Sequence, residues 1–281
     1  MRSILFGLAA GLASALLMGV AVLLGATSWA AATPAMIALA VGVAVLHYWK
    51  TIHFQTLRER FQQVTNKVAL LHDHVSETQG LVQLSRFNDA YPLPFGGGWA
   101  LTADAAAVLV REIALNRPRT IVELGSGVST QLIGRMLREA GEGKLYSLDH
   151  DSGWAEQTRR HIQACGLQDH VVVLDAPLAR QQFNGREFNW YQIPDALRQV
   201  GNIDLVIVDG PPQSLDVSGT PRYPALPAFI AQLAPKAMIY IDDAKRPQEQ
   251  AMIEKWLQEY PGFESRMIET VPGTCLLRRK P

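Results

Sequence analysis

The chain has 281 residues, 48% of them hydrophobic, with 26 basic and 26 acidic residues and a formal net charge of zero. That length allows a short accessory region and one domain of about 200 residues. The charge balance leaves no basic stripe for a nucleic acid to bind, and two cysteines without metal-ligand spacing, Cys165 and Cys275, read as buried free thiols.

Residues 4–26 form an uncharged run of 23, and about 20 helical residues suffice to span a hydrocarbon core. A second apolar run, 30–46, follows and ends in His47-Tyr48-Trp49-Lys50. Trp29, Tyr48 and Trp49 stand where interfacial aromatics belong. Residues 1–49 therefore read as a transmembrane helical hairpin. A signal peptide or single anchor is the alternative, because Ala30-Ala31-Ala32 fits a small-residue cleavage pattern. Arg2 precedes the hairpin, Lys50, Arg58, Arg60 and Lys67 follow it, and the turn is uncharged. Both ends should face the cytoplasm, so the expectation is a membrane protein with a cytoplasmic catalytic domain.

Residues 50–84 read as a helical stalk. Its apolar residues fall at Phe54, Leu57, Phe61, Val64, Val68, Leu71 and Val75, and the same spacing reaches Thr78 and Val82. Alternation by three and four over about four heptads is a coiled-coil seam. It suits a homodimer through residues 54–82, or equally an amphipathic helix lying on its own domain.

Past the breaker-rich stretch 91–98, within a domain expected over 85–281, strands and helices alternate. Ala103–Asn116 is a predicted helix with Thr102 as its cap. Strands follow at Thr120–Leu124, 144–148, 171–174, Ile203–Val208 and 237–241, and helices at 129–140, 154–165, 224–233 and 247–260. This order predicts a doubly wound α/β sheet. Residues 263–270 and Thr274–Arg279 then form two strands joined by Val271-Pro272-Gly273. A terminal hairpin of this kind resembles that of the class I S-adenosylmethionine-dependent methyltransferases. The resemblance covers residues 99–281 and implies a seven-stranded, mostly parallel sheet closed by an antiparallel hairpin.

The motifs lie at strand ends. Glu123-Leu124-Gly125-Ser126-Gly127 closes the first strand, where glycines let a ligand approach the backbone and a helix N-terminus offers N–H groups. Nicotinamide enzymes place three glycines there, but Thr130 stands at the third position. The resemblance implies that Glu123, Gly125, Ser126 and Gly127 hold the amino-acid end of S-adenosylmethionine. It implies further that Asp149 accepts bonds from the ribose hydroxyls beside His150, and that Asp175 and Ala176 lie by the adenine. Asp209, in Val208-Asp209-Gly210-Pro211-Pro212, is a candidate both for the cofactor site and for catalysis, with Asp242 and Asp243 as catalytic partners. Three converging carboxylates repel unless they are protonated, solvated or bridged. The resemblance to divalent-metal O-methyltransferases implies Mg2+ or another divalent cation on Asp209, Asp242 and Asp243, although Asp-Asp replaces the usual Asp-Asn. Arg222 and Arg246 either bind the acceptor or pair with these aspartates, and His150 and His161 are further candidate bases. The implied reaction is O-methylation of a small-molecule, lipid-linked or saccharide hydroxyl at the cytoplasmic membrane face. A non-catalytic membrane scaffold and a nicotinamide-dependent oxidoreductase are the alternatives.

Overall fold

The computed structural model describes residues 13, 15–17, 19–23, 25, 29–88, 91–95, 100–215 and 219–280, in two compact units, Met1–His72 and Asp73–Pro281. Most of the first apolar run, and the turn expected after it, lie outside the described residues. The second run and the stalk form one helix, α1 (Trp29–Leu84, 56 residues). Among the described residues, one helical stretch, Ile37–Phe87, is long and apolar enough to cross a membrane. Its seam residues Phe54, Leu57, Phe61, Val64, Val68, Leu71, Val75 and Val82 are all exposed.

The last turns of α1 pack within the second unit, against α2 (Ala103–Asn116). Gly80 permits this. A Cβ there would stand 2.4 Å from the Ala103 carbonyl carbon, so only a residue without a side chain fits. Glu77 Oε2 accepts the Ala103 N–H at 3.0 Å, satisfying one of the N–H groups that a helix start leaves open. Leu84 and, in the 3-10 turn Ser85–Phe87, Phe87 are buried. The Phe87 carbonyl accepts a bond from buried Arg135.

The sheet comprises β1 (Thr120–Leu124), β2 (Lys144–Asp149), β3 (Val171–Asp175), β6 (Ile203–Val208), β7 (Leu233–Ile241), β8 (Phe263–Ile268) and β9 (Thr274–Arg279). Its order is β3-β2-β1-β6-β7-β9-β8. The first five strands run parallel, and β9 pairs antiparallel with β7 and β8. The expected doubly wound seven-stranded sheet with its terminal hairpin is present. The chain winds outward from β1 to β3, then restarts at β6 beside β1. That reversal opens a crevice at the carboxyl ends of β1 and β6, where such sheets take their ligands.

Side chains alternate between the two faces, as strand geometry requires. Ile121, Leu145, Leu205 and Ile207 face a core shared with α2, α3 (Val128–Ala140) and α4 (Ser152–Ala164). Val122, Leu148, Val206 and Val208 face the opposite core, with Trp256 of α7 (Pro247–Glu259). Apolar residues on both faces are what a buried parallel strand needs.

The second core has a wall that the strand–helix pattern omits. Between β3 and β6 lies a hairpin, β4 (Leu178–Phe183) with β5 (Arg186–Tyr191), followed by a short α5 (Asp195–Arg198). Its turn is Asn184-Gly185, both at positive φ, the residue pair that two-residue hairpins favour. Phe188, Trp190 and Tyr191 enter the core from β5. A second difference concerns residues 224–233. The helix there is only α6 (Ala225–Phe229), because β7 starts at Leu233, pairs with Ile203 and then shifts register.

Gly80→Val is expected to destabilise the second unit by about 1–3 kcal/mol through overpacking. Thermal melts of the detergent-solubilised chain should show this, with Gly262→Ala as control, since nothing lies within 4 Å of a Cβ there.

Candidate active site

The first loop, Gly125 to Gly127, leaves β1 and enters α3. Gly125 has φ +98°, a conformation that other residues adopt only with strain. Thr130 explains the missing third glycine. Its hydroxyl accepts the Gly127 N–H at 2.8 Å and donates to Glu123 Oε2 at 2.6 Å. Ser147 donates to the same oxygen at 2.6 Å. Glu123 is fully buried, and its Oε1 has no hydrogen-bond partner among the described residues. Burial raises its pKa to about 6 against the pull of the Ser129, Ser147 and Thr130 hydroxyls. Glu123 is therefore a prop beneath the loop, with one acceptor oxygen to spare.

Asp149, at the end of β2, reaches back to this loop. Its Oδ2 accepts the Ser126 N–H at 3.0 Å and the Ser126 hydroxyl at 2.5 Å, and its Oδ1 accepts the Asp151 N–H at 3.0 Å. A carboxylate offers about four lone-pair sites, so Oδ1 retains room for one more donor. Asp151 caps α4 by accepting the Trp154 N–H. His150 sits beside Asp149, its Nδ1 at 3.5 Å from Oδ1, with its ring edge-on to Tyr191. His161 instead partners Gln131 of α3.

At the third strand end the two expected residues differ in exposure. Ala176 is fully buried, and its N–H is bonded to the Asp149 carbonyl at 2.7 Å. Asp175 faces solvent and pairs with Arg159 at 3.3 Å. The β4–β5 hairpin follows at once, and Ala176 joins the core beneath it.

Asp209, Asp242 and Asp243 do come together, at the ends of β6 and β7, with one oxygen from each lying within 4.8 Å of the others. Asp243 adopts the left-handed region, φ +60°, which Asp tolerates better than most residues. Arg222 sits among them at 4% side-chain exposure. Its guanidinium lies 3.1 Å from Asp243 Oδ2, 3.7 Å from Asp209 Oδ1 and 3.6 Å from Glu249 Oε1. It also donates to the Asp209 carbonyl at 2.6 Å. Arg246 reaches Asp243 Oδ2 at 2.7 Å. Burial, partly offset by Arg222, pushes the Asp209 carboxyl up to about 7. Burial and the neighbouring Asp209 push Asp242 well above its ordinary range.

Residues that periodicity does not single out complete the site. Tyr191 is buried with its hydroxyl against Gly210, and that hydroxyl has no hydrogen-bond partner among the described residues. Gln213 donates to both oxygens of Glu249, at 2.9 and 2.7 Å. The Asn184-Gly185 turn is the sequence signal that leads to Tyr191.

A family model described as a methyltransferase domain matches residues 122–244, the span running from β1 to the Asp242-Asp243-Ala244 turn. No curated protein matches the chain in sequence. Among solved structures, an S-adenosylhomocysteine-bound methyltransferase of Podospora anserina, PaMTH1, is 15% identical. That alignment covers 78% of this chain and 96% of the other, with a TM-score of 0.52. An O-methyltransferase of Bacillus cereus in complex with S-adenosylhomocysteine is 16% identical over 73% of this chain and 91% of its own (TM-score 0.48). The O-methyltransferase TomG of Streptomyces achromogenes has the same identity over 73% and 90% (TM-score 0.46). At these identities the likeness is one of fold.

The site has the oxygen donors for a divalent cation in type, but two of the three aspartates already face guanidinium groups. Asp243 Oδ2 holds Arg222 and Arg246, and Asp209 faces Arg222. The third, Asp242, has a buried Oδ1 with no hydrogen-bond partner among the described residues.

Thr130→Val keeps the shape of the residue and removes its bonds to Glu123 and Gly127. Leaving buried polar groups unsatisfied costs about 1–3 kcal/mol, so the urea midpoint of the domain should fall with an unchanged slope.

Proposed function

We propose that the domain transfers a methyl group from S-adenosylmethionine to a hydroxyl oxygen. The observation that carries this reading is the meeting of three strand ends at one crevice. The Gly125 loop, Asp149 and Asp209 stand together where β1 and β6 diverge, within the span that matches the methyltransferase domain. The residues fit the cofactor. The spare acceptor on Asp149 suits a ribose hydroxyl, Glu123 Oε1 and the start of α3 suit the amino-acid end, and the buried carboxylates suit a sulfonium cation. When bound, S-adenosylmethionine supplies an activated methyl group.

What the chain must add is position and proton removal. Asp209 is the base. It is partly exposed at the mouth of the crevice and is held near neutrality by burial, the range in which a carboxylate can both accept and release a proton. Arg222 fixes it through its own carbonyl and carboxylate. Asp242 and Asp243 shape the electrostatics around it without touching the acceptor. Thr130 counts against the nicotinamide alternative, because its side chain occupies the place of the third glycine and ties the loop to Glu123.

The acceptor is a small-molecule, lipid-linked or saccharide hydroxyl at the cytoplasmic face of a membrane. The apolar helix and the positive charges that follow its membrane-spanning part support this location. A homodimer through residues 54–82 belongs to the same proposal, supported by a seam that is exposed at three-and-four spacing.

Calorimetry on the detergent-solubilised chain should show S-adenosylmethionine binding, weakened by Asp149→Ala about 10- to 100-fold, the loss of one or more bonds to a charged acceptor. No binding, or tighter binding of NAD, overturns the reading. With an acceptor found by following labelled methyl groups in cells, Asp209→Asn should lower kcat by about 10²–10⁴. Since Asp209 acts deprotonated, kcat/KM should rise with pH through about 7 and then level off, and Asp209→Asn should abolish that rise.

A further inference from the structure

We infer that Arg222 takes the place of a metal ion in this site, so that the acidic cluster is closed by an internal cation and binds no divalent one. This goes beyond the methyl-transfer reading and does not depend on it, because the claim concerns the cluster in the unliganded protein.

Four carboxylates, Asp209, Asp242, Asp243 and Glu249, converge on the ends of β6 and β7. A bare group of this kind would draw in Mg2+ or Ca2+, which are held by oxygens at roughly 2.0–2.6 Å. Here Arg222 sets guanidinium nitrogens beside three of the four carboxylates, and the fourth, Asp242, keeps a buried Oδ1 with no hydrogen-bond partner among the described residues. Arg222 Nη1 stands 3.1 Å from Asp243 Oδ2 and 3.6 Å from Glu249 Oε1, and Nη2 stands 3.7 Å from Asp209 Oδ1. The arginine cannot swing aside without loss. It donates to three backbone carbonyls, Asp209 at 2.6 Å, Pro211 at 3.4 Å and Asp242 at 3.4 Å, and these belong to the two strand ends that a metal would have to bridge. Tyr223, fully buried behind it, anchors the segment through its carbonyl, which accepts the Trp256 indole N–H at 2.9 Å. Outside, Arg246 takes Asp243 Oδ2 at 2.7 Å. Gln213 takes both oxygens of Glu249.

Arginine suits this duty where lysine would not. Its planar fork carries five donors and keeps its charge when buried, so one side chain can bind carbonyls and carboxylates from two strands together. Arg222 is thus a positioning residue that orients Asp209 and welds β6 to β7.

The experiment is cation titration of the full chain in detergent, stripped with chelator and free of S-adenosylmethionine. Mn2+ is followed by electron paramagnetic resonance, and Mg2+ by its effect on the melting temperature. The wild type should show no saturable Mn2+ binding and no Mg2+-dependent shift at millimolar concentrations. Arg222→Met removes the charge and keeps the stem, and it should gain one saturable Mn2+ site together with stabilisation by Mg2+. That gain should be lost again in Arg222→Met/Asp242→Asn. Saturable binding to the wild type that Asp242→Asn removes overturns the inference, and so does a folded Arg222→Met that gains no site. If Arg222→Met folds only when Mn2+ is supplied, the cation has replaced the guanidinium and the inference stands. If it does not fold under either condition, the wild-type titration decides alone. A failure to bind S-adenosylmethionine would overturn the proposed function and leave these outcomes unchanged.

Discussion

The constraint on which this structure turns is the crowding of negative charge at one edge of a parallel sheet. Parallel strands all end on the same side, so residues that close successive strands become neighbours. Here those residues are Glu123, Asp149, Asp209 and the pair Asp242-Asp243, and all but Asp209 are buried. Isolated buried carboxylates are prohibitively costly, and real proteins pair, hydrogen-bond or neutralise them. All three solutions occur side by side. Glu123 is held by hydroxyls, Asp149 by the amides and hydroxyl of its own and the neighbouring loop, and Asp209 and Asp243 by arginines, while burial pushes Asp242 towards its neutral form.

Each solution also sets a function. The hydroxyl of Thr130 that supports Glu123 shapes the Gly125 loop. The bonds that settle Asp149 hold it against that loop and leave one acceptor position open. Arg222 leaves Asp209 at the mouth of the crevice with a carboxyl poised near neutrality. Stability and chemistry therefore rest on the same contacts, and the residues beneath the site matter as much as those that line it.

The β4–β5 hairpin gives the site its other character. It stands between β3 and β6, brings Phe188, Trp190 and Tyr191 into the second core, and sets a buried phenol against Gly210. The same insertion draws Ala176 into the core and leaves Asp175 on the surface with Arg159.

Much of this was legible in the chain itself. Apolar runs bounded by Gly, Asp and Pro place β1, β2, β3 and β6 within a residue of their observed ends, because strand burial and turn chemistry are local properties. The acids at the strand ends are equally legible, since a parallel sheet must bring them to one edge. The helical continuity of residues 50–84 follows from an unbroken three-and-four spacing. Other features were decided only in three dimensions. The start of β7 at Leu233 depends on pairing with Ile203, a partner 30 residues away in sequence. Nothing adjacent to Gly80 marks it as the point where helix backbones meet, because Ala103 arrives from another element. Above all, the chain shows three aspartates and two arginines without saying which will meet. Side-chain charges act through space rather than along the chain, and only the folded packing brings Arg222 and Arg246 to Asp209 and Asp243.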